Sequence, residues 1–577
     1  MIKEVLLIFK THLDVGYTDY AENVINTYFE SFIPSAIKTG YELKDTDTPF
    51  IWSVGSWLIW EGLKRDKDKS LEKAIRDGII AWHGIPFTTH TEIMSEKLFD
   101  YGLSISKKLD EKFGKNTIGA KMTDVPGHTQ GMIPHMCRAG IKFLHLGINS
   151  GTPVPPVPNV FKWKCDDDEI TVMYQGTYGT TTEFDDFAIC FGHTSDNRGV
   201  QSIEQIKKIY ADTRAKYPNA VVRAATLDDV AGKMMELKNL PVVDKEIGDT
   251  WIHGVATDPK KLGMYRELLR NIEKRDISDY DFCDNLLLVP EHTWGMNLKR
   301  YFPDTENWYN DDLKKVRGTE ECKAFEKSWD EQREYVKKAS EVLDAEVDYK
   351  LSEPDLSGYE LVKGKKPCFE LSWQLFDQSD YQRFMDGYVI LTVRNVSWNI
   401  WDYLKLGMPA YDGGIYTAKV VAAYQKSDST VYHLEFDADI KAKFGLPCVW
   451  AEEKDNKLEI KWFKKEASRL PQAFWLKFRD CDEDWEVSKM GRWIKPENIA
   501  GSPLITAIDK GVRNKDMQIT SLDAALVAPF GRRLLDYDET PSGKDLYFNL
   551  YNNIWNTNFP MWYSDDTRFR FEINKTK

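Results

Sequence analysis

The chain has 577 residues and a formal net charge of −14, with 91 acidic against 77 basic side chains. This length exceeds what one hydrophobic core supports and predicts roughly three or four domains. The acidic balance argues against nucleic acid and anionic membrane surfaces as partners, so a neutral ligand is expected. Aromatic residues make up 13% of the chain, which fits either the covering of sugar faces or large β-rich cores.

The cysteines and the N-terminus indicate the compartment. The eight cysteines are widely spaced without a CxxC pair, which argues against a zinc ribbon or a disulfide scaffold. The chain opens directly on a strand-like run with no cleavable signal, and no apolar segment reaches membrane-spanning length. If the chain is complete, we expect it in the cytoplasm, with the oligomeric state open between a monomer and a homo-oligomer.

The first motif follows the first predicted strand. Residues 4 to 9 are mostly apolar, as in a strand buried on both faces, and Thr11-His-Leu-Asp-Val-Gly-Tyr17 comes next. In extended backbone, residues i and i+2 point the same way, so His12 and Asp14 present a nitrogen and an oxygen to one point. This is a metal-site geometry, and a hydrogen-bonded pair at a strand end is the alternative.

Further strands are predicted at 50–57, 79–83, 117–122 and 140–148, separated by helical segments that include a charged helix over 61–78. This βα alternation predicts a mainly parallel sheet or barrel. The pattern continues with predicted strands at 170–174 and 220–226 and a predicted helix at 202–215. His90 and Glu92 follow the third strand, where they either line a cleft or start a helix.

The segment Met122-Thr-Asp-Val-Pro-Gly-His-Thr-Gln-Gly131 is the predicted centre of the protein. It places Asp124 at the C-terminal end of a buried strand, where α/β folds carry their chemistry, and this makes Asp124 a candidate nucleophile with His128 beside it. The alternative is that Asp124 caps the following helix. A later predicted loop, 191–199, is rich in groups able to move protons.

The second half of the chain changes character after residue 247. Helical spacing over 258–272 and 320–343 predicts a small bundle, within which His292 is either a loop residue or reaches the cleft. Strand-like alternation begins near residue 366, as in 388–394 and 430–436, and predicts antiparallel β-sandwich structure with His433 in a structural role. The predicted domains are a β/α catalytic domain (1–247), a helical bundle (248–350) and a β-sandwich region (351–577).

Along the chain, the HxDxGY opening comes first, then the DxxGH loop, and then a GxxxxHG motif where the helical bundle begins, followed by the β-rich half. This order of motifs resembles that of glycoside hydrolase family 38. Members of this family are zinc-dependent retaining α-mannosidases. The matching residues include His12, Asp14, Asp124, His128 and His253. The C-terminal Asn553-Ile-Trp-Asn-Thr-Asn-Phe-Pro560 also resembles a segment of bacterial members. The resemblance covers most of the chain and implies an N-terminal seven-stranded, barrel-like β/α domain.

The resemblance also implies a set of site residues. Zn²⁺ would be held by His12, Asp14, Asp124 and His253, with Asp124 also the nucleophile. Asp196 would be the acid, about 5–5.5 Å from the nucleophile as in retaining enzymes, unless it serves an Asx turn. Glu183 and Asp186 are rival acids. The predicted substrate contacts are Tyr17, His90, Glu92, His128, Asn149, His292, Trp555 and Asn558.

Two departures from the family pattern concern the sugar. Tyr17 replaces the tryptophan that packs under the sugar, although it still offers a stacking face. The arginine that the family places after the nucleophile loop falls at Ile148, beside Asn149, so a sugar-positioning cation is missing. These differences indicate a divergent branch that acts on a different glycoside.

Two other functions remain open from the sequence. Metal-dependent carbohydrate deacetylases also join aspartate and histidine ligands on a βα barrel, and they use metal-bound water instead of a carboxylate nucleophile. A non-catalytic relative that binds a sugar and has lost the acid is the third interpretation.

Overall fold

The computed structural model describes residues 1–248, 250–275, 283–347, 350–389, 400–401, 403–479, 484–500, 505–532, 534–535 and 545–575. The chain divides into two compact units. The first contains Met1–Thr91, Glu96–Ile247 and Glu291–Thr293, and the second contains Glu92–Ser95, Gly248–Pro290 and Trp294–Lys577. Within the described ranges no helix is long and apolar enough to cross a membrane.

The first unit alternates strands with helices. Its strands are β1 (Glu4–His12), β2 (Trp52–Gly55), β3 (Ile80–His83), β4 (Gly119–Asp124), β5 (Phe143–Ile148), β6 (Val160–Cys165), β7 (Asp168–Gln175), β8 (Thr182–Glu183), β9 (Phe187–Asp196), β10 (Val221–Ala224), β11 (Val242–Val243) and β12 (Glu246–Ile247). Its helices are α1 (Ala21–Thr27), α2 (Ile33–Leu43), α3 (Ser56–Arg65), α4 (Ser70–Arg76), α5 (Glu96–Phe113), α6 (Met132–Arg138), α7 (Ile203–Lys216) and α8 (Leu227–Glu236), with a π-helical turn at Tyr28–Phe32.

Two mainly parallel sheets organise this unit. One has the order β3-β2-β1-β9-β8 with β10 also paired to β1, and the other has the order β11-β6-β7-β5-β4. Strand β1 pairs in parallel with β2, β9 and β10, and β5 pairs in parallel with β4 and β7. This confirms the predicted α/β class. Closure into a seven-stranded barrel stays a prediction, because the described strands fall in two sheets.

The core explains why β1 is so apolar. Leu6 and Ile8 pack with Phe143 of β5 and Ile189 of β9, and α8 covers the same cluster with Val230 and neighbouring apolar residues. A strand with neighbours on both edges and both faces has no solvent-facing side, which is why its sequence does not alternate. The strands β1, β4 and β9 end at His12, Asp124 and Asp196, so the polar groups begin where the apolar runs stop.

Three predicted elements differ from the observed ones. The helix over 61–78 is two helices, α3 and α4, separated at Lys69, whose backbone is left-handed with φ 62°. The loop over 191–199 is largely strand, because β9 continues to Asp196 along β1. Of the strand over 388–394, Tyr388 ends a helix and residues 390–394 lie outside the described ranges.

The second unit contains helices followed by antiparallel strands. Its helices are α9 (Pro259–Glu273), α10 (Cys283–Leu287), α11 (Leu298–Tyr301), α12 (Asn310–Val316), α13 (Glu320–Leu343), α14 (Gln378–Tyr388) and α15 (Ala438–Phe444). Its strands are β13 (Glu360–Val362), β14 (Phe369–Leu375), β15 (Gly414–Thr417), β16 (Lys419–Lys426), β17 (Ser429–Glu435), β18 (Cys448–Lys454), β19 (Lys457–Phe463), β20 (Gln472–Phe478), β21 (Glu486–Lys489), β22 (Arg492–Ile494), β23 (Ile499–Ala500), β24 (Thr506–Ala507), β25 (Gly511–Arg513), β26 (Met517–Ser521), β27 (Leu526–Pro529), β28 (Leu546–Asn552) and β29 (Thr567–Lys575).

Two antiparallel sheets dominate the second unit. Their orders are β13-β16-β17-β18-β19-β29-β26-β25-β21-β22 and β15-β14-β20-β28-β27-β24. Aromatic pairs join the sheets, including Trp462 with Phe474 at 5.0 Å and Phe548 with Phe571 at 5.1 Å between ring centroids. These rings therefore serve a β-rich core, one of the two roles that the composition left open. The division of this unit into a helical and a β-rich domain stays a prediction.

Candidate active site

Two imidazoles and two carboxylates converge in the first unit. His12 Nε2 lies 3.0 Å from His292 Nε2, and Asp14 Oδ1 lies 3.1 Å from the first nitrogen and 3.0 Å from the second. Asp124 Oδ2 is 3.6 Å from His292 Nε2. All four side chains are buried. Imidazole nitrogens and carboxylate oxygens placed this close together are ligand types that a divalent metal such as Zn²⁺ can bind.

The polar atoms of this group fit a cation. Asp14 Oδ2 is fully buried without a hydrogen-bond partner among the described residues. Buried polar atoms are rarely left in this state, and a divalent ion between the two imidazole nitrogens and the carboxylates would satisfy them. Burial raises the pKa of Asp14, but the neighbouring His12 and His292 outweigh it and lower the pKa, so the carboxylate is ionised and available as a ligand.

The position of the His12 ring is set by a threonine. His12 Nδ1 lies 2.8 Å from Thr123 Oγ1, which also accepts a hydrogen bond of 3.3 Å from Lys121 Nζ. Thr123 is held in turn by Thr88, whose hydroxyl donates to its carbonyl and accepts from its N–H. Because Nδ1 has this partner, Nε2 faces Asp14 and His292. A hydrogen-bond partner on the nitrogen away from the metal is usual for a metal-binding histidine.

His292 has its own carboxylate partner. Glu291 Oε1 lies 2.7 Å from His292 Nδ1, and residue 291 forms an isolated β-bridge with Thr89 that fixes the segment within the first unit. Burial alone would lower the pKa of His292, but the charge of Glu291 and contacts with Asp14 raise it well above its ordinary value. A carboxylate behind an imidazole makes the nitrogen facing the site a stronger ligand.

Asp124 is held in an unusual conformation. Its φ of 87° lies in the left-handed region, which is strained for a residue with a Cβ and is concentrated at functional sites. Its Oδ1 accepts hydrogen bonds from Asn149 Nδ2 at 3.1 Å and from the Tyr178 hydroxyl. Burial, followed by the charge of Asp124, raises the pKa of Tyr178, which therefore remains a donor.

The loop that carries Asp14 is held by Asn197. Its Oδ1 accepts from Asp14 N at 3.1 Å, and its Nδ2 donates to the carbonyls of Asp14 and Gly16. Gly16 and Tyr17 both have positive φ, 132° and 60°, so the chain turns sharply after the HxD pair. The half-buried Tyr17 remains a predicted sugar contact.

Asp196 lies beside His12 and Asp14 and has a raised pKa. It pairs with His12 across β1 and β9, and ligand atoms of His12, Asp14 and Asp196 lie within 4.8 Å of one another. Burial, then the negative charge of Asp14, raise its pKa to about 7. Glu183 differs, because a hydrogen bond from Tyr217 lowers its pKa at an exposed position.

The remaining predicted residues lie in several places. Asp186 is exposed and pairs with Lys3 at 3.4 Å. His90 and His128 are buried in the first unit, and burial lowers the pKa of His128 to about 3. Glu92 belongs to the second unit, where its buried carboxylate pairs with Lys489.

His253 lies in the second unit, and its role as a metal ligand stays a prediction. It is buried there with its ring 6.1 Å from that of Trp555, and its carbonyl accepts from Asn552 Nδ2 at 3.0 Å. Among the described residues, it is in none of the groups that could share one ion, whereas His292 is. Asn558 accepts a hydrogen bond from Trp294 N through its side chain. The substrate roles of Trp555 and Asn558 stay predictions.

The sequence analysis assigned no role to the supporting residues Thr123, Tyr178, Asn197 and Glu291. Glu291 had a signal, since it directly precedes His292 in a polar interruption of the helical segment. The others had none, because their partners are distant in the sequence.

Comparison of the sequence with known families gives one match. Residues 255–358 match a family described as a domain of unknown function, DUF5054. No curated protein matches the chain at the sequence level.

Two of the solved structures that match the chain come from Enterococcus faecalis. One is an alpha-mannosidase from Enterococcus faecalis V583, with a TM-score of 0.60 at 10% identity over 100% of this chain and 87% of that one. The other is a glycosyl hydrolase family 38 protein from Enterococcus faecalis, with a TM-score of 0.55 at 10% identity over 100% of this chain and 86% of that one. The chain therefore has the fold of these family 38 structures, which confirms the resemblance at the level of the fold.

Proposed function

We propose that the protein is a glycoside hydrolase that cleaves α-mannoside-like or related glycosides by a metal-assisted, retaining double displacement. The observation that carries this proposal is the close approach of His12, Asp14 and His292, with Asp124 also beside His292. Asp196 lies near His12 and Asp14. The shared fold of family 38 structures supports it. A carbohydrate is accordingly the proposed substrate.

A zinc ion would be held by His12, Asp14, Asp124 and His292. Zinc suits this donor set because it accepts both imidazole nitrogen and carboxylate oxygen as ligands. When bound, such an ion supplies Lewis-acid binding of sugar hydroxyls. His292 replaces His253 in the proposed ligand set, since His292 faces Asp14 and Asp124 directly.

Asp124 is the proposed nucleophile and Asp196 the proposed acid. A carboxylate oxygen of Asp124 bonds to the anomeric carbon as the bond to the leaving oxygen breaks, and Asp196 gives its proton to that oxygen. Asp196 then takes a proton from water, whose oxygen attacks the anomeric carbon and releases Asp124. A pKa of about 7 leaves a large fraction of Asp196 protonated at neutral pH, as this role requires.

The sugar is expected to differ from mannose. Ile148 is buried in β5, and the amide of Asn149 is committed to Asp124, so neither provides the cation that the family pattern places here. Tyr17 provides a smaller stacking face than tryptophan. A panel of sugars is therefore needed to identify the substrate.

The test is covalent trapping with a panel of activated fluoroglycosides, followed by peptide mass spectrometry. We expect one glycosyl group per chain on Asp124 and none in Asp124→Asn. Acetate release from acetylated sugars without an adduct would instead identify a deacetylase, and the absence of both reactions would identify a binding protein. Either result refutes the proposal.

A second measurement tests the ligand set. We expect this group to hold about one zinc per chain in protein purified without chelators. His12→Ala and His292→Ala should each lower the zinc content, while His253→Ala serves as the matched control and should keep it. Loss of zinc in His253→Ala with retention in His292→Ala would restore the original ligand prediction.

A further inference from the structure

A second group of metal-binding side chains lies in the second unit. His433 and Glu435 are two residues apart on β17 and so share one face, and Cys448 opens the adjacent strand β18. His433 Nε2 lies 3.0 Å from Glu435 Oε1 and 3.3 Å from Cys448 Sγ. The three ligand atoms lie within 4.8 Å of one another.

These distances are close to those of a metal site. Ligands of tetrahedral Zn²⁺ at standard bond lengths are separated by about 3.4 Å for nitrogen and oxygen and about 3.6 Å for nitrogen and sulfur. The group would therefore open by only a few tenths of an ångström to admit an ion. No backbone change is needed, because the β17–β18 pairing of His433 with Trp450 already fixes both strands.

The neighbouring residues hold two of the ligands in place. The His433 ring stacks on Trp450, with centroids 4.3 Å apart and planes 11° apart. Lys441 Nζ lies 2.5 Å from Glu435 Oε2, which leaves Oε1 facing the histidine. Ligands supported in this way bind metal with less loss of side-chain entropy.

The group is also accessible to ions. The side chains of His433 and Glu435 are 25% and 24% exposed, and Cys448 is partly buried. Glu435 and Lys441 line an open surface cavity of about 670 Å³. Solvent can therefore deliver an ion and occupy a fourth coordination position.

We propose that His433, Glu435 and Cys448 form a second metal site, distinct from the group in the first unit and independent of the proposed function. A thiolate beside an imidazole and a single carboxylate selects Zn²⁺ or a softer divalent ion over Mg²⁺ or Ca²⁺. Binding forms a bond from sulfur to the metal as the thiol proton passes to solvent. The site is three-coordinate from protein and open on its fourth side.

The first experiment titrates metal-free protein with Co²⁺ and follows the near-ultraviolet thiolate-to-metal charge-transfer band. We expect the band in the wild type and its loss in Cys448→Ser and His433→Ala. Cys368→Ser is the matched control, since Cys368 is an exposed cysteine outside the group. A band that persists unchanged in Cys448→Ser would overturn the proposal.

The second experiment maps alkylation of each cysteine by mass spectrometry with and without Zn²⁺. We expect Zn²⁺ to slow alkylation of Cys448 at least tenfold while Cys368 is unaffected, and Glu435→Gln, which keeps the side-chain shape, to weaken this protection. Equal rates at Cys448 with and without Zn²⁺ would refute the site. The same result is expected in His12→Ala, so failure of the catalytic proposal and failure of this one can be told apart.

Discussion

The hydroxyl of Thr123 sets the orientation of His12, and its removal gives a sharp prediction. Thr123→Val keeps the shape of the side chain but removes the oxygen that lies 2.8 Å from His12 Nδ1. Both residues are buried, so an unpaired imidazole N–H would cost about 1–3 kcal/mol if the ring stayed in place. We expect the ring to turn instead, which weakens metal binding.

The expected loss of zinc affinity is about 10–100-fold, the range for removal of a group that orients a metal ligand. This corresponds to about 1.4–2.8 kcal/mol. Lys121 also loses its acceptor, and it lines a cavity of about 30 Å³ in which water can replace the hydroxyl. Zinc affinity is measured by competition with a chromophoric chelator.

Two controls accompany this variant. Thr123→Ser retains the hydroxyl and should bind zinc within about threefold of the wild type, since only a methyl group is lost. Thr213→Val removes another buried hydroxyl, which donates to Ile209 O within α7, and should not change zinc affinity. If Thr123→Val binds zinc as tightly as Thr123→Ser, then the hydroxyl does not orient His12 and this account of the site is wrong.

The remaining predictions concern catalysis, pH and stability. Asp196→Ala should lose most activity on glycosides with poor leaving groups, by about 10²–10⁴-fold, but keep glycosylation by activated aryl glycosides and respond to azide; equal losses on both substrate types would place the acid elsewhere. Burial lowers the pKa of Lys465 to about 7, so above that pH the unfolded chain holds an extra proton and stability rises with pH by up to about 1.4 kcal/mol per unit. Urea unfolding between pH 7.5 and 9 should show a shallower rise in Lys465→Met, and parallel slopes would contradict this. Asp304→Ala leaves Arg469, which is 1% exposed, without its carboxylate and should cost about 3–5 kcal/mol of unfolding free energy, whereas the exposed Asp311→Ala should cost almost nothing.

Elements with strong local signals were predicted well from the sequence. The apolar run before His12, the βα alternation and the spacing over 320–343 correspond to β1, the parallel sheets and α13. Each of these signals depends on residues close together in the chain, where period and burial determine the structure. The HxD pair was also local, and its two side chains do face one point.

Features that depend on distant partners were not predicted. The segment ending at Asp196 contains polar residues typical of a loop, but pairing with β1 extends it as strand β9. The sequence left His292 open between a loop residue and a cleft residue for the same reason. Its position beside Asp14 depends on Glu291 pairing with Thr89 about two hundred residues earlier in the chain.

The two oxygens of Asp124 suggest how one carboxylate serves both metal binding and attack in the proposed reaction. Oδ1 is held by Asn149 and Tyr178, while Oδ2 faces His292. These contacts occur at a residue whose φ of 87° is strained, as is common at functional sites. Tyr178→Phe should therefore leave the metal content unchanged but lower kcat, because the oxygen that faces the metal group keeps its place while the carboxylate plane loses a fixed donor. If the variant loses metal instead, the hydroxyl supports the ligand set and not the nucleophile.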